Sequence, residues 1–182
     1  MHIRESFDYP AHVDDVWDMM TDEEFQSRVC VATFAESHSV AVTHHTDGAT
    51  VISRREMSTK GFPDFARNLV GHTITAAQTI DYGPPDPQGR RVGTMAIGLG
   101  HAPLGFKGRI TLTPIDEEIT EVSVEGELTC GIPIVGGRIV QAAAPMVTAG
   151  IRKEKEQGLA WIEELYEDYP DEDDPEDDPE DD

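Results

Sequence analysis

Residues 2–9, HIRESFDY, alternate in character. Ile3, Glu5, Phe7 and Tyr9 share one side, and Arg4, Ser6 and Asp8 share the other, which is the period of a half-buried strand. Pro10 ends it. Val13, Val16, Trp17 and Met20 then fall at helical spacing and predict a short helix. Thr21 or Asp22 stands before Glu23 and Glu24, as a helix N-terminus prefers. Phe25, Val29 and Phe34 line this second short helix, which is expected to run to about Ala35.

From there the period changes to two. Val40, Val42 and His44 share one face of a strand, and Asp47-Gly48 is a hairpin turn before a return strand over 49–57. GFPDFARNLVG (61–71) breaks the pattern and reads as a loop or a short helix. Strands follow over 72–82, over 91–100 with Met95, Ile97 and Leu99 on one side, and over 106–114 with Phe106, Ile110 and Leu112 together. A last strand over 119–130 sets Val122, Val124, Gly126 and Leu128 against Glu121, Ser123, Glu125 and Glu127, so one sheet face is wet. GIPIVGG bends the chain into a long helix. There Val140, Ala144, Val147, Ile151, Gly158, Ile162 and Leu165 fall within a sector of about 100°. Pro145 either starts the regular part of this helix or kinks it. The element order is therefore β-α-α-β-β-β-β-β-β-α, an α+β architecture. Only the terminal helix is long enough to cover the dry face of the sheet.

Composition changes the picture at one place. Residues 171–182, DEDDPEDDPEDD, carry ten of the 36 acidic residues. Taking out those ten charges moves the net charge from −22 to −12 and leaves an ordinary globular composition. The expected division is a domain over 1–168 and a disordered acidic tail over 169–182. The tail serves as a solubilising segment or as a clamp for a basic protein partner. Net negative charge argues against nucleic-acid binding. No run approaches the roughly 18–20 apolar residues that cross a bilayer, and MHIRESFDYP holds no apolar signal segment. With Cys30 and Cys130 far apart and unclustered, the expectation is a cytoplasmic protein with free thiols.

FDYPAHVDDVWDMMTDEEF at the front, and GELTCGIPIVGGRIVQ with GLAWI twenty residues later at the back, resemble the helix-grip fold of the START-like superfamily. That superfamily includes polyketide cyclases, lipid-transfer domains and pollen-allergen-like proteins. The back motif resembles more closely a bacterial branch classed as a domain of unknown function. The resemblance spans about residues 1–166. It implies a strongly curved antiparallel sheet wrapped around the terminal helix, with a cavity for a hydrophobic ligand between them. It implies no particular reaction, because binders and enzymes share the fold.

The residues point to the same cavity independently. The first half of the long helix presents Ala142, Ala143, Ala144 and Gly150 beside Val140, Val147 and Ile151. Facing it are expected Val42, Ile97, Leu99, Ile110, Leu112, Val124 and Leu128. Small residues opposite a concave sheet either permit close approach or leave a void, and an unfilled void costs about 24 cal/mol per Å³. His44 on the inner face is a candidate to orient a ligand or act as a base, against a plain role as a hydrogen-bonded histidine near a strand end. Glu5, between Ile3 and Phe7, either faces the ligand or sits at a rim or in a salt bridge. His44 and His45 point to opposite strand faces and cannot easily share a metal. No nucleophile, metal or cofactor pattern is present. The expected partner is a small hydrophobic molecule, lipid- or polyketide-like. The alternatives are a cyclase, dehydratase or hydrolase working in the same cavity, or an interaction module with a filled core.

Overall fold

A computed structural model describes residues 1–60, 63–100 and 103–168. Its elements run β1 (His2–Tyr9), α1 (Val13–Met20), α2 (Glu23–Ala32), β2 (Ser37–His44), β3 (Ala49–Ser58), α3 (Asp64–Val70), β4 (Thr73–Tyr82), β5 (Arg91–Leu99), β6 (Leu104–Pro114), β7 (Thr120–Cys130) and α4 (Gly136–Asp168). The seven strands form one antiparallel sheet in the order β1-β7-β6-β5-β4-β3-β2. Strands that are neighbours in the sequence account for five of the six pairings, β3 and β4 being joined through α3. The sixth brings β1 beside β7, with Glu5 opposite Val124.

The alternation read from the sequence sets the faces. In β1, Ile3 and Tyr9 are buried, Glu5 and Phe7 are half-buried, and Arg4, Ser6 and Asp8 are exposed. In β3 the inner set is Ala49, Val51, Ser53, Arg55 and Met57, a facing that the sequence alone leaves open. Gly108 and Gly126 lie opposite each other between β6 and β7. A Cβ on Gly126 would stand 2.4 Å from the Lys107 carbonyl oxygen, and one on Gly108 would stand 2.2 Å from that of Glu125. Only glycine tolerates that approach, and it lets the two strands bend sharply together.

Local signals place the short helices. Asp22 caps α2 by accepting the Phe25 amide at 2.9 Å. α2 ends at Ala32, so Phe34 is no part of its apolar face. Phe34 instead takes a left-handed φ of 63° and is 80 % exposed. α2 lies over the free edge of the sheet, where Glu23 Oε1 accepts the Val42 amide at 3.0 Å. α1 packs on β6 and buries Val13, Val16, Met19 and Met20.

α4 is continuous through Pro145. Its second half is held firmly. Ile162 is buried, Phe25 meets Trp161 edge to face at 5.7 Å, and Arg28 pairs with Glu164 at 2.6 Å. The closest neighbours of α4 are β1, β7 and α2. The first half of the helix stands opposite the inner face of β3 to β6 with space between. The predicted acidic tail, and Gly61 and Phe62 of the 61–71 segment, lie outside the described residues, as do His101 and Ala102.

Candidate functional site

That space is a cavity of about 350 Å³. The sheet supplies Met57 from β3, Ile74 and Ala76 from β4, Met95, Ile97 and Leu99 from β5, Leu104 and Phe106 from β6, and Val124 from β7. α4 supplies Ile139, Ala142, Ala143, Met146, Val147, Gly150 and Ile151. A Cβ built on Gly150 would meet nothing within 4 Å. Small residues on this half of the helix therefore create volume rather than close contact. Phe34, Pro63 and Met146 line the cavity and are also exposed, so they form its rim.

One part of the wall is polar. Strand pairing sets Ser53 opposite Gln78 and Arg55 opposite Ala76, which makes Arg55 and Gln78 diagonal neighbours. Arg55 donates from Nη1 to Thr33 Oγ1 and from Nη2 to Gln78 Oε1, each at 2.9 Å. Its Nε is buried and has no hydrogen-bond partner. Glu154 projects from α4 one turn beyond Ile151 and is only 8 % exposed. Among the described residues its carboxylate has no hydrogen-bond partner. Burial raises the Glu154 pKa from the ordinary 4.5 to about 7, while the nearby Arg55 charge opposes the rise. Arg55, Gln78, Thr33 and Glu154 thus give an otherwise apolar cavity one end able to donate and accept hydrogen bonds.

The sequence-predicted residues divide into two groups. Ile97, Leu99, Val124, Val147 and Ile151 line the cavity. Ile110, Leu112 and Leu128 do not; all three are fully buried in the packed core, Ile110 and Leu112 on the strand that α1 covers. A Cβ on Gly93 would lie 2.9 Å from Ile110 and 2.8 Å from Ile80 and Tyr82, which shows how tightly that end of the sheet is filled. Val42 is half-buried away from the cavity, on the strand that α2 covers. His44, at the end of β2, is exposed and outside the lining. Glu5 lies on the other side of α4, in a shallow groove, with one oxygen 3.7 Å from Arg152 Nη2.

Sequence reasoning missed Arg55, Gln78 and Glu154. Glu154 carries a legible signal, since it follows Val147 by seven positions and Ile151 by three and so interrupts the apolar stripe of the helix with a carboxylate. Arg55 and Gln78 become inner residues only once the facing of β3 is fixed by its pairing with β4.

Among the described residues no helix is long and apolar enough to cross a membrane, and no group of three or more His, Cys, Asp or Glu is placed to hold a metal ion.

A curved antiparallel sheet closed over a long C-terminal helix is the START-like helix-grip fold, and solved structures of that class superpose on the chain. A START superfamily protein from Mycobacterium smegmatis matches with a TM-score of 0.55 and 9 % identity, covering 90 % of this chain and 98 % of its own. The Zhui aromatase/cyclase from Streptomyces sp. R1128 matches at 0.53 and 14 %, covering 92 % and 93 %. Norcoclaurine synthase from Thalictrum flavum, solved with dopamine and hydroxybenzaldehyde, matches at 0.54 and 13 %, covering 90 % and 87 %. No curated protein matches the sequence significantly. The chain belongs to the family described as "Protein of unknown function (DUF2505)", whose model matches residues 4–162.

Proposed function

We propose that the protein binds and carries a small hydrophobic molecule, lipid- or polyketide-like, in the cavity between the sheet and α4. The observation that carries this reading is the cavity itself: about 350 Å³, apolar over most of its wall, and faced by helix residues too small to fill it. That volume lies in the range of small-molecule sites, about 300–1,000 Å³. Kept dry and empty it would cost about 8 kcal/mol, at about 24 cal/mol per Å³. A whole domain is stable by only about 5–15 kcal/mol. An apolar occupant removes that cost and gains about 25 cal/mol for each Å² it buries.

Native mass spectrometry of protein purified from its own host tests the reading. A co-purifying small molecule, released on denaturation and absent from an Ala143→Trp variant, is the expected result. Protein that carries nothing, and whose melting temperature no apolar compound raises, overturns it.

A second reading has one observation in its favour. A carboxyl with a pKa of about 7 in an apolar cavity is suited to acid or base catalysis near neutral pH. Two of the similar structures, the aromatase/cyclase and norcoclaurine synthase, are enzymes by name. A cyclase, dehydratase or hydrolase here would work through Glu154, because His44 and Glu5 lie outside the cavity. Turnover of a cavity ligand that Glu154→Gln abolishes without loss of fold would favour this reading over carriage.

A further inference from the structure

The polar end of the cavity restricts what an occupant must carry. Arg55 Nε has no acceptor, and the carboxylate of Glu154, a buried residue, accepts no hydrogen bond among the described residues. Both line the same cavity. The two Nη nitrogens of Arg55 each direct one N–H to Thr33 or Gln78, which holds the guanidinium against the sheet with further N–H groups to offer. Charge is balanced locally. Above pH 7, where Glu154 is ionised, Arg55 and Glu154 offset each other, and Lys153, the remaining cation on the lining, is paired with Glu156. A cationic or anionic headgroup would enter as an uncompensated buried charge, which is far costlier than a neutral polar group. A ketone or ether could satisfy Arg55 but would leave the carboxylate alone. A hydroxyl both accepts and donates, so it can satisfy the two groups together.

We propose that the cavity selects an apolar molecule bearing one neutral hydroxyl, an alcohol or a phenol, whose oxygen accepts from the Arg55 guanidinium and whose proton is donated to Glu154. This rests on the cavity reading above and adds to it the chemical class of the ligand. Unpaired polar groups left behind by the wrong ligand would give the site its discrimination, as the apolar wall accepts any shape of similar size.

The test is a fluorescence titration of the full chain at pH 8 with four probes that share one apolar body: naphthol, naphthalene, naphthoate and naphthylmethylamine. Naphthol should bind about tenfold or more tighter than naphthalene, with both charged probes weaker than naphthol. Glu154→Leu and Arg55→Met should each erase the preference for naphthol and keep naphthalene binding. Should one variant fail to fold by circular dichroism, the other decides. Equal binding of naphthol and naphthalene, tightest binding of a charged probe, or a preference that survives substitution overturns the hydroxyl proposal and leaves the cavity reading standing. Failure of all four probes to bind the natural chain overturns both.

Discussion

The Tyr9 ring occupies the space that a side chain at Gly158 would need. A Cβ built on Gly158 would fall 2.2 Å from the Tyr9 hydroxyl oxygen and 2.4 Å from the ring carbon that bears it. The same hydroxyl donates to the Glu154 carbonyl at 3.2 Å. The first strand is thereby locked to the last helix, one turn from the polar end of the cavity.

Two glycines of one helix should therefore answer the same substitution with opposite signs. Helix propensity alone makes Gly→Ala stabilising by about 1 kcal/mol. At Gly150 nothing lies within 4 Å of the added methyl, so Gly150→Ala should stabilise by about that amount. At Gly158 the overlap with Tyr9 should win, and Gly158→Ala should destabilise by about 1–3 kcal/mol. Urea unfolding of both variants checks the pair. A stabilising Gly158→Ala would show that the Tyr9 contact relaxes freely.

Stability should fall as pH rises through the window set by Glu154. Its carboxyl is raised in the fold, to about 7 from an ordinary 4.5, by burial. Between those values the unfolded chain has released the proton and the folded chain still holds it, so rising pH favours unfolding. The groups facing Glu154 are Arg55 on β3, Tyr9 on β1, Tyr82 on β4 and Cys30 on α2. Burial raises the two phenols and the thiol above their ordinary values, so all three stay neutral in this range. Glu154→Gln should match the natural chain near pH 4 and exceed it by about 3 kcal/mol above pH 7. Denaturant midpoints measured across pH check this, and a difference independent of pH would contradict it.

The cap of α2 makes a simpler forecast. Asp22 satisfies the Phe25 amide, and Asp22→Ala should cost about 1 kcal/mol. Thermal melts at pH 7 read it directly, with Asp22→Asn expected to restore most of the loss.

Filling the cavity should separate stability from binding. Gly150→Leu places a branched side chain into open volume, so it should raise the melting temperature while weakening an apolar probe at least tenfold. Unchanged probe affinity would place the binding site elsewhere.

The chain made its architecture easy to read because β1 and β7 keep a strict period of two and the last helix a period near 3.6, whereas β3 showed no facing until it was paired. The inward facing of Ile3 and Tyr9, the Asp47-Gly48 turn and the bend into α4 all follow from local rules. The site was only half legible. Ile97, Leu99, Val124, Val147 and Ile151 were placed by periodicity, but periodicity cannot tell a residue that lines a void from one pressed against a neighbour. Ile110 and Leu112 carry the same pattern and sit in solid core, because α1 packs on β6, and Leu128 is likewise fully buried. His44 lies outside the cavity for a related reason. The inner face of β2 lies beyond the reach of α4, so a side chain at its end meets solvent.

The Glu23–Val42 contact bears on how this molecule behaves in company. β2 is a free margin of the sheet, and an unsatisfied amide there invites a foreign strand to add on. Because a carboxylate from α2 already occupies that amide, an intruder would have to evict an anion before its first hydrogen bond could form. At this position the β2 margin of the bowl resists the addition of a strand from another copy.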